Sequence, residues 1–221
     1  KTPTAAEEIW DGLDGVTTGG LVGAAGNTGV FNYIKSFGGM TFNGAARRGS
    51  GAANSDGSSS GAGGSAWDFA LTGSGDMFGV DGLSWGLGYG EVEAGEQAET
   101  TGDIHDDEHM TAFVNYSMGP VTVGYQEAHI NAGAVAAVSE TTKAFGIAFN
   151  VSDDFSVSYG EREVEYHNPV ADNVTEEGEG IAIAYTMGSM KIAGNRNEVS
   201  DNDNSTGSND EMTEIAVSFA F

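Results

Sequence analysis

Cysteine is absent from the 221-residue chain, and both proline (3 residues) and the basic side chains (8 Lys and Arg) are scarce. Without Cys there is no disulfide framework, no zinc ribbon and no thiol nucleophile. The few cations face 33 Asp and Glu, a formal charge of −25. That balance excludes nucleic acid as a partner, because phosphate binding needs clustered Lys and Arg. No stretch approaches the roughly 18 to 20 consecutive apolar residues of a membrane-crossing helix. No charged-then-apolar leader opens the sequence, which therefore reads as a mature protein or a fragment. Glycine, by contrast, is abundant, with 35 residues, about twice its ordinary share of about 7%.

The dominant positive signal is alternation with a period of two, the mark of strands with unlike faces. Leu83, Trp85, Leu87 and Tyr89 alternate with Ser and Gly, and Val121, Val123 and Tyr125 with Thr122, Gly124 and Gln126. Phe145/Ile147/Phe149, Phe155/Val157/Tyr159 and Ile181/Ile183/Tyr185 repeat the pattern, and the chain ends on Ile215, Val217, Phe219 and Phe221. With the segments around 30–37, Met40/Phe42, Trp67/Phe69/Leu71, Ala112/Val114/Tyr116 and 190–199, eleven strands are expected.

The minor face decides the fold class. A soluble sandwich carries Lys, Glu and Thr on its wet face. Here the second face is Gly, Ser, Ala, Thr and Asn through the strand centres, and no helical pattern exists to cover eleven apolar faces. An inverted arrangement resolves this: an all-β, transmembrane antiparallel β-barrel with bulky residues towards lipid and small polar residues towards a wet lumen. A soluble acidic sandwich is the competing class; extraction only by detergent would eliminate it. The connectors alternate in length, as outer-membrane barrels require. Short ones fall at Gly38-Gly39, 75–82, 118–120, 152–154 and 187–189, long ones near 49–64, 94–107, 132–140, 167–177 and 200–209. Phe37, Phe78, Tyr116, Met118, Phe149, Phe155, Tyr185 and Met187 flank the short turns, an interfacial girdle at one rim.

The terminal pattern Ile215-x-Val217-x-Phe219-x-Phe221 resembles the C-terminal assembly signal of outer-membrane barrels. The hairpins Tyr116–Tyr125 and Phe149–Tyr159 resemble Gram-negative general porins of alphaproteobacterial type, over about residues 28–221. That resemblance implies a trimeric, sixteen-stranded barrel of the outer membrane, with lipid bilayer, lipopolysaccharide and the barrel-assembly machinery as partners. Eleven strands cannot close an antiparallel barrel, because the first and last run the same way. Residues 1–27 are therefore expected to be the end of the family's constriction loop, folded into the lumen, and residues 28–221 the sixth to sixteenth strands of one barrel domain. Thr4-Ala-Ala-Glu7 also has the form of a capping box opening a short helix.

In that family an acidic constriction loop faces basic residues on the wall and filters small solutes by size and charge. The acidic candidates are Glu7, Glu8, Asp11 and Asp14. By parity the wall cations are Arg47 and Arg162, with Lys35 placed there only if a bulge shifts its register by one. Of the 33 acidic residues, 21 lie in segments 91–108, 161–179 and 198–214. Read as strand tops and loops, these make a negative mouth that favours cations. Solvated acidic loops are the preferred reading of these segments, with bridging by divalent cations such as calcium the alternative; Asp201 and Asp203 form a weak calcium candidate with no well-placed closing Glu. His105-Asp-Asp-Glu-His109 has metal-binding residue types but no partner elsewhere, and no resident cofactor or metal is expected. No nucleophile motif is present and no enzyme is expected. The expected function is passive diffusion of small hydrophilic solutes and ions through a cation-preferring channel. The alternative is a non-conducting barrel acting as structural protein, adhesin or phage receptor.

Overall fold

The computed structural model describes residues 30–48, 65–93, 105–133 and 137–220. Eleven strands form one sheet in strict sequence order: β1 (Val30–Phe37), β2 (Met40–Arg47), β3 (Ala66–Ser74), β4 (Leu83–Val92), β5 (Asp107–Met118), β6 (Val121–Asn131), β7 (Ser139–Asn150), β8 (Phe155–His167), β9 (Val174–Met187), β10 (Met190–Ser200) and β11 (Asp210–Phe219). Each neighbouring pair is antiparallel. Among the described residues β1 pairs only with β2 and β11 only with β10, and both run towards the same rim.

The short turns lie where the sequence bends most easily. Gly38 and Gly39 take φ of +55° and +81° between β1 and β2, the double left-handed geometry of a type I′ hairpin turn. Between β3 and β4 a 3₁₀ turn, Gly75–Phe78, leads to Gly82. There a Cβ would meet the carbonyl of Ser117, whose own N–H donates to the Gly82 carbonyl at 2.8 Å.

Burial is inverted relative to a soluble sheet. Every side chain buried among the described residues, including Phe113, Gln126, Val164, Tyr166 and Asn197, lies on the face of small and polar residues. The opposite face exposes Phe31, Tyr33, Val114, Tyr125, Phe145, Ile181, Ile183 and Ile215, and Phe31 keeps 72% of its surface. A row of large apolar side chains turned outwards along a whole sheet is stable only against another apolar phase, here lipid.

Register gives the slope of that apolar belt. Tyr125 is opposite Phe145, which is opposite Glu161, and the row continues through Glu179 and Glu198 to Glu211. The uppermost apolar residue is thus Tyr125 on β6 but Ile215 on β11, two rows lower. Two rows are about 13 Å of strand against about 24 Å of sheet, a tilt of roughly 30°. Several strands also reach further than their apolar alternation suggested. β9 begins at Val174, so Glu176, Glu177 and Glu179 belong to the sheet and not to the preceding loop.

Candidate functional site

The inner face is the surface a solute would meet. Its strand centres carry Gly86, Gly88, Gly124, Ala144, Gly146, Gly160 and Gly178, so the wall stays close to the backbone. Where a larger side chain enters, its neighbour is reduced. Phe113 sits over Gly86, where a Cβ would collide with the ring. Gln126 is fully buried and donates from Nε2 to Thr111 Oγ1 at 3.3 Å.

At the long-loop end a polar cluster is sealed against this wall. Arg162 and Glu176 are 5% and 2% exposed, with Nη2 and Oε1 3.9 Å apart. Glu176 Oε2 also accepts from the Tyr166 hydroxyl at 3.2 Å and from the backbone N–H of Asp203 at 2.9 Å. That last bond comes from the β10–β11 loop, which turns over the cluster with Asp201, Asp203 and Asn204 all at left-handed φ. Asn168 and Asn204 exchange amide hydrogen bonds of 2.9 Å in both directions, tying this loop to the β8–β9 loop. Asp201 accepts from the Gly207 amide.

Towards the short-turn rim the same wall opens. A cavity of about 210 Å³ on the inner face of β8–β11 is lined by Ser156, Ser158, Lys191, Asn195 and Glu214 over a floor of alanines.

Arg47 and Arg162 both stand on the inner face, Arg47 half-buried at the end of β2 opposite Ala66. Lys35 does not. The β1–β2 ladder runs without a bulge and sets Lys35 opposite Phe42 on the outer face, one row above the rim, so it is no wall cation. Ile215, Val217 and Phe219 are exposed on the outer face of β11. Glu7, Glu8, Asp11, Asp14 and Phe221, with the helix expected from Thr4, lie outside the described residues. The sequence His105–His109 is split by the pleat, with Asp107 and His109 on the inner face and Glu108 on the outer. Among the described residues, no group of three or more His, Asp or Glu is placed to hold a metal ion.

The acidic segments fall differently from the expected mouth. Glu91, Glu108, Glu127, Glu161, Glu163, Glu165, Glu177, Glu179, Glu198 and Glu211 are all on the outer face, above the apolar belt. Tyrosines at the top of the belt reach up into this band. Tyr89 donates to Glu91 and Glu108 at 2.6 and 3.2 Å, and Tyr159 to Glu161 and Glu179 at 2.6 and 3.0 Å. Lys143 pairs with Glu163 at 3.3 Å, and Arg196 with Glu198 and Glu211. The Tyr-x-Glu spacing was the available signal, since residues i and i+2 share a face. Lys191 and Glu214 were legible in the same way, each on the parity opposite to Ile192 and Ile215.

A tilted antiparallel sheet with an apolar outer belt, an aromatic lower rim and a small polar inner face is the wall of a transmembrane β-barrel. The chain belongs to the Gram-negative porins: the model of that family matches residues 2–221. It is a protein of the outer membrane. Solved structures of similar fold include the anion-selective porin from Comamonas acidovorans, with TM-score 0.66, 13% identity, and 89% of this chain against 60% of that one. A porin refined at 1.8 Å resolution matches with TM-score 0.62 and 17% identity over 87% of this chain and 61% of its own. OmpF of Salmonella typhi, in complex with daunomycin, matches with TM-score 0.62 and 10% identity over 86% and 61%. The chain thus spans about 60% of the length of these structures. No curated protein sequence matches it.

Proposed function

We propose that the chain forms part of the wall of a water-filled channel through which small hydrophilic solutes and ions diffuse passively, with preference for cations and without a catalytic step. The observation that carries this is the inner face itself: its Gly, Ala, Ser and Thr leave room where a plugged barrel would interlock large side chains. The preference for cations rests on the inner-face balance. Asp68, Asp107, Glu140, Glu176, Asp210 and Glu214 stand against Arg47, Arg162 and Lys191. A lumen with excess negative charge concentrates cations and speeds their entry. The anion selectivity named for the Comamonas porin is that protein's own, and at 13% identity the two walls share few side chains.

The whole barrel in this reading has sixteen strands, β1–β11 being the sixth to sixteenth, and is a homotrimer in bilayer and lipopolysaccharide. Residues 1–27 fold into the lumen with Glu7, Glu8, Asp11 and Asp14 opposite the wall cations. Ile215, Val217, Phe219 and Phe221 present the signal read by the barrel-assembly machinery. Among the described residues β1 and β11 each pair on one side only and run in the same direction, which supports the need for further strands. Single-channel recording of the detergent-extracted protein in a planar bilayer under a potassium chloride gradient tests the proposal. Stepwise openings with a cation-selective reversal potential are expected; protein that inserts folded and stays silent would make the barrel a scaffold or receptor.

A further inference from the structure

We propose that the inner wall of β8–β11 near the short-turn rim is a binding subsite for short zwitterionic solutes, namely free amino acids and dipeptides. The inference rests on the channel reading above and names a class of solute for it. Lys191 and Glu214 are the two charged residues lining the 210 Å³ cavity there. Glu214 is directly opposite Asn195, and Lys191 lies four residues before Asn195 on β10. Lysine and carboxylate are therefore separated by about 13 Å of strand, at about 3.3 Å per residue. Neither side chain has a hydrogen-bond or ion-pair partner among the described residues. By contrast, Arg162, Lys143 and Arg196 each face a carboxylate.

Between the two charges the wall is low. Ala193 is flanked by Ala184 and Ala216, and Asn195 by Ala182. Ser156 and Ser158 close the β8 side, opposite Ala184 and Ala182. A zwitterion lying along β10 sets its carboxylate at the Lys191 ammonium and its ammonium at Glu214. The Asn195 amide then meets its remaining polar groups and its aliphatic carbons rest on the alanines, while the Ser156 and Ser158 hydroxyls, two strands or about 10 Å away, form the far side of the cavity. A simple ion is attracted by one of the two charges and repelled by the other, and a neutral solute engages neither. The pair therefore selects for solutes that carry both signs over what a sieve of this size would do.

Fluxes through the whole protein reconstituted in vesicles, with glycylglycine and an uncharged solute of similar size as probes, test this. Glycylglycine is expected to permeate several-fold faster than the uncharged probe and to saturate. Lys191→Met and Glu214→Gln should each remove the saturation and bring the two fluxes level, with uncharged flux unchanged. The double variant Lys191→Glu/Glu214→Lys, which keeps both signs in reversed order, should regain the preference. Equal fluxes of the two probes through the wild type, or a preference that survives both single variants, would overturn the subsite while leaving the channel intact. Failure of the uncharged probe to cross the wild type would instead overturn the channel reading.

Discussion

Glu176 joins three parts of the chain: the β8 wall through Arg162 and Tyr166, its own strand β9, and the β10–β11 loop through the amide of Asp203. Replacing it by Ala takes a carboxylate from a buried guanidinium and leaves a hydroxyl and an amide without their acceptor. Breaking one partner of a buried pair costs on the order of 3 kcal/mol. Glu176→Ala should therefore lower the temperature at which the folded band is lost on unheated gels, whereas Glu176→Gln, which keeps a carbonyl acceptor, should lower it less. A second residue-scale prediction concerns Gly86, whose missing side chain makes room for Phe113. Gly86→Ala should destabilise the barrel by about 1 to 3 kcal/mol through overpacking. In combination with Phe113→Ala that loss should shrink, a coupling that a double-mutant cycle on urea midpoints would read directly.

At the scale of the element, parity is what each strand encodes. On β9, Ile183 meets lipid and its neighbour Ala184 meets the lumen. Ile183→Arg should cost about 2 to 4 kcal/mol if it lies near the bilayer midplane, while Ala184→Ser should be close to neutral, as measured by folding into vesicles. The eleven strands and their faces were legible because bulky and small residues alternate through most strand centres; Phe113 on the inner face of β5 and Gly194 on the outer face of β10 are among the exceptions. Their upper ends were less so. Along Glu161, Glu163 and Glu165 the outer face stops being apolar while the pleat continues, so hydropathy marks an end that hydrogen bonding does not. Lys35 shows the converse limit. A mid-strand cation suggested a bulge, but the ladder is regular, and a long stem near the rim can lead the ammonium to the headgroups. The Arg162–Glu176 cluster was half-visible: parity gave the arginine, but only the register of β8 with β9 and the fold of the last loop supply its partners.

For the whole molecule, the separation of charge between the two faces governs behaviour in salt. In the proposed channel the ten outer-face glutamates lie outside the permeation path, so the cation preference proposed for it depends on the smaller inner-face excess. Screening lengths fall from about 30 Å at 0.01 M to about 3 Å at 1 M. The reversal potential under a fixed salt ratio should therefore shrink steeply as total salt rises. A selectivity independent of ionic strength would instead point to size alone.

The row of tyrosine hydroxyls beneath the glutamates also fixes how much bilayer the protein can accommodate. On β6, β7 and β8 only three outward apolar positions stand between the short-turn rim and the acidic band: Val121, Val123 and Tyr125; Phe149, Ile147 and Phe145; Phe155, Val157 and Tyr159. That is roughly 15 Å of strand at about 3.3 Å per residue, against a usual belt of about 25 Å. Lipid on this flank must compress its chains or bend its surface towards the barrel, an elastic cost of fractions of a kcal/mol for each ångström of mismatch. The barrel should consequently insert faster into vesicles of ten- or twelve-carbon phosphatidylcholines than of eighteen-carbon ones, and in a mixed membrane it should gather the shorter chains around this flank.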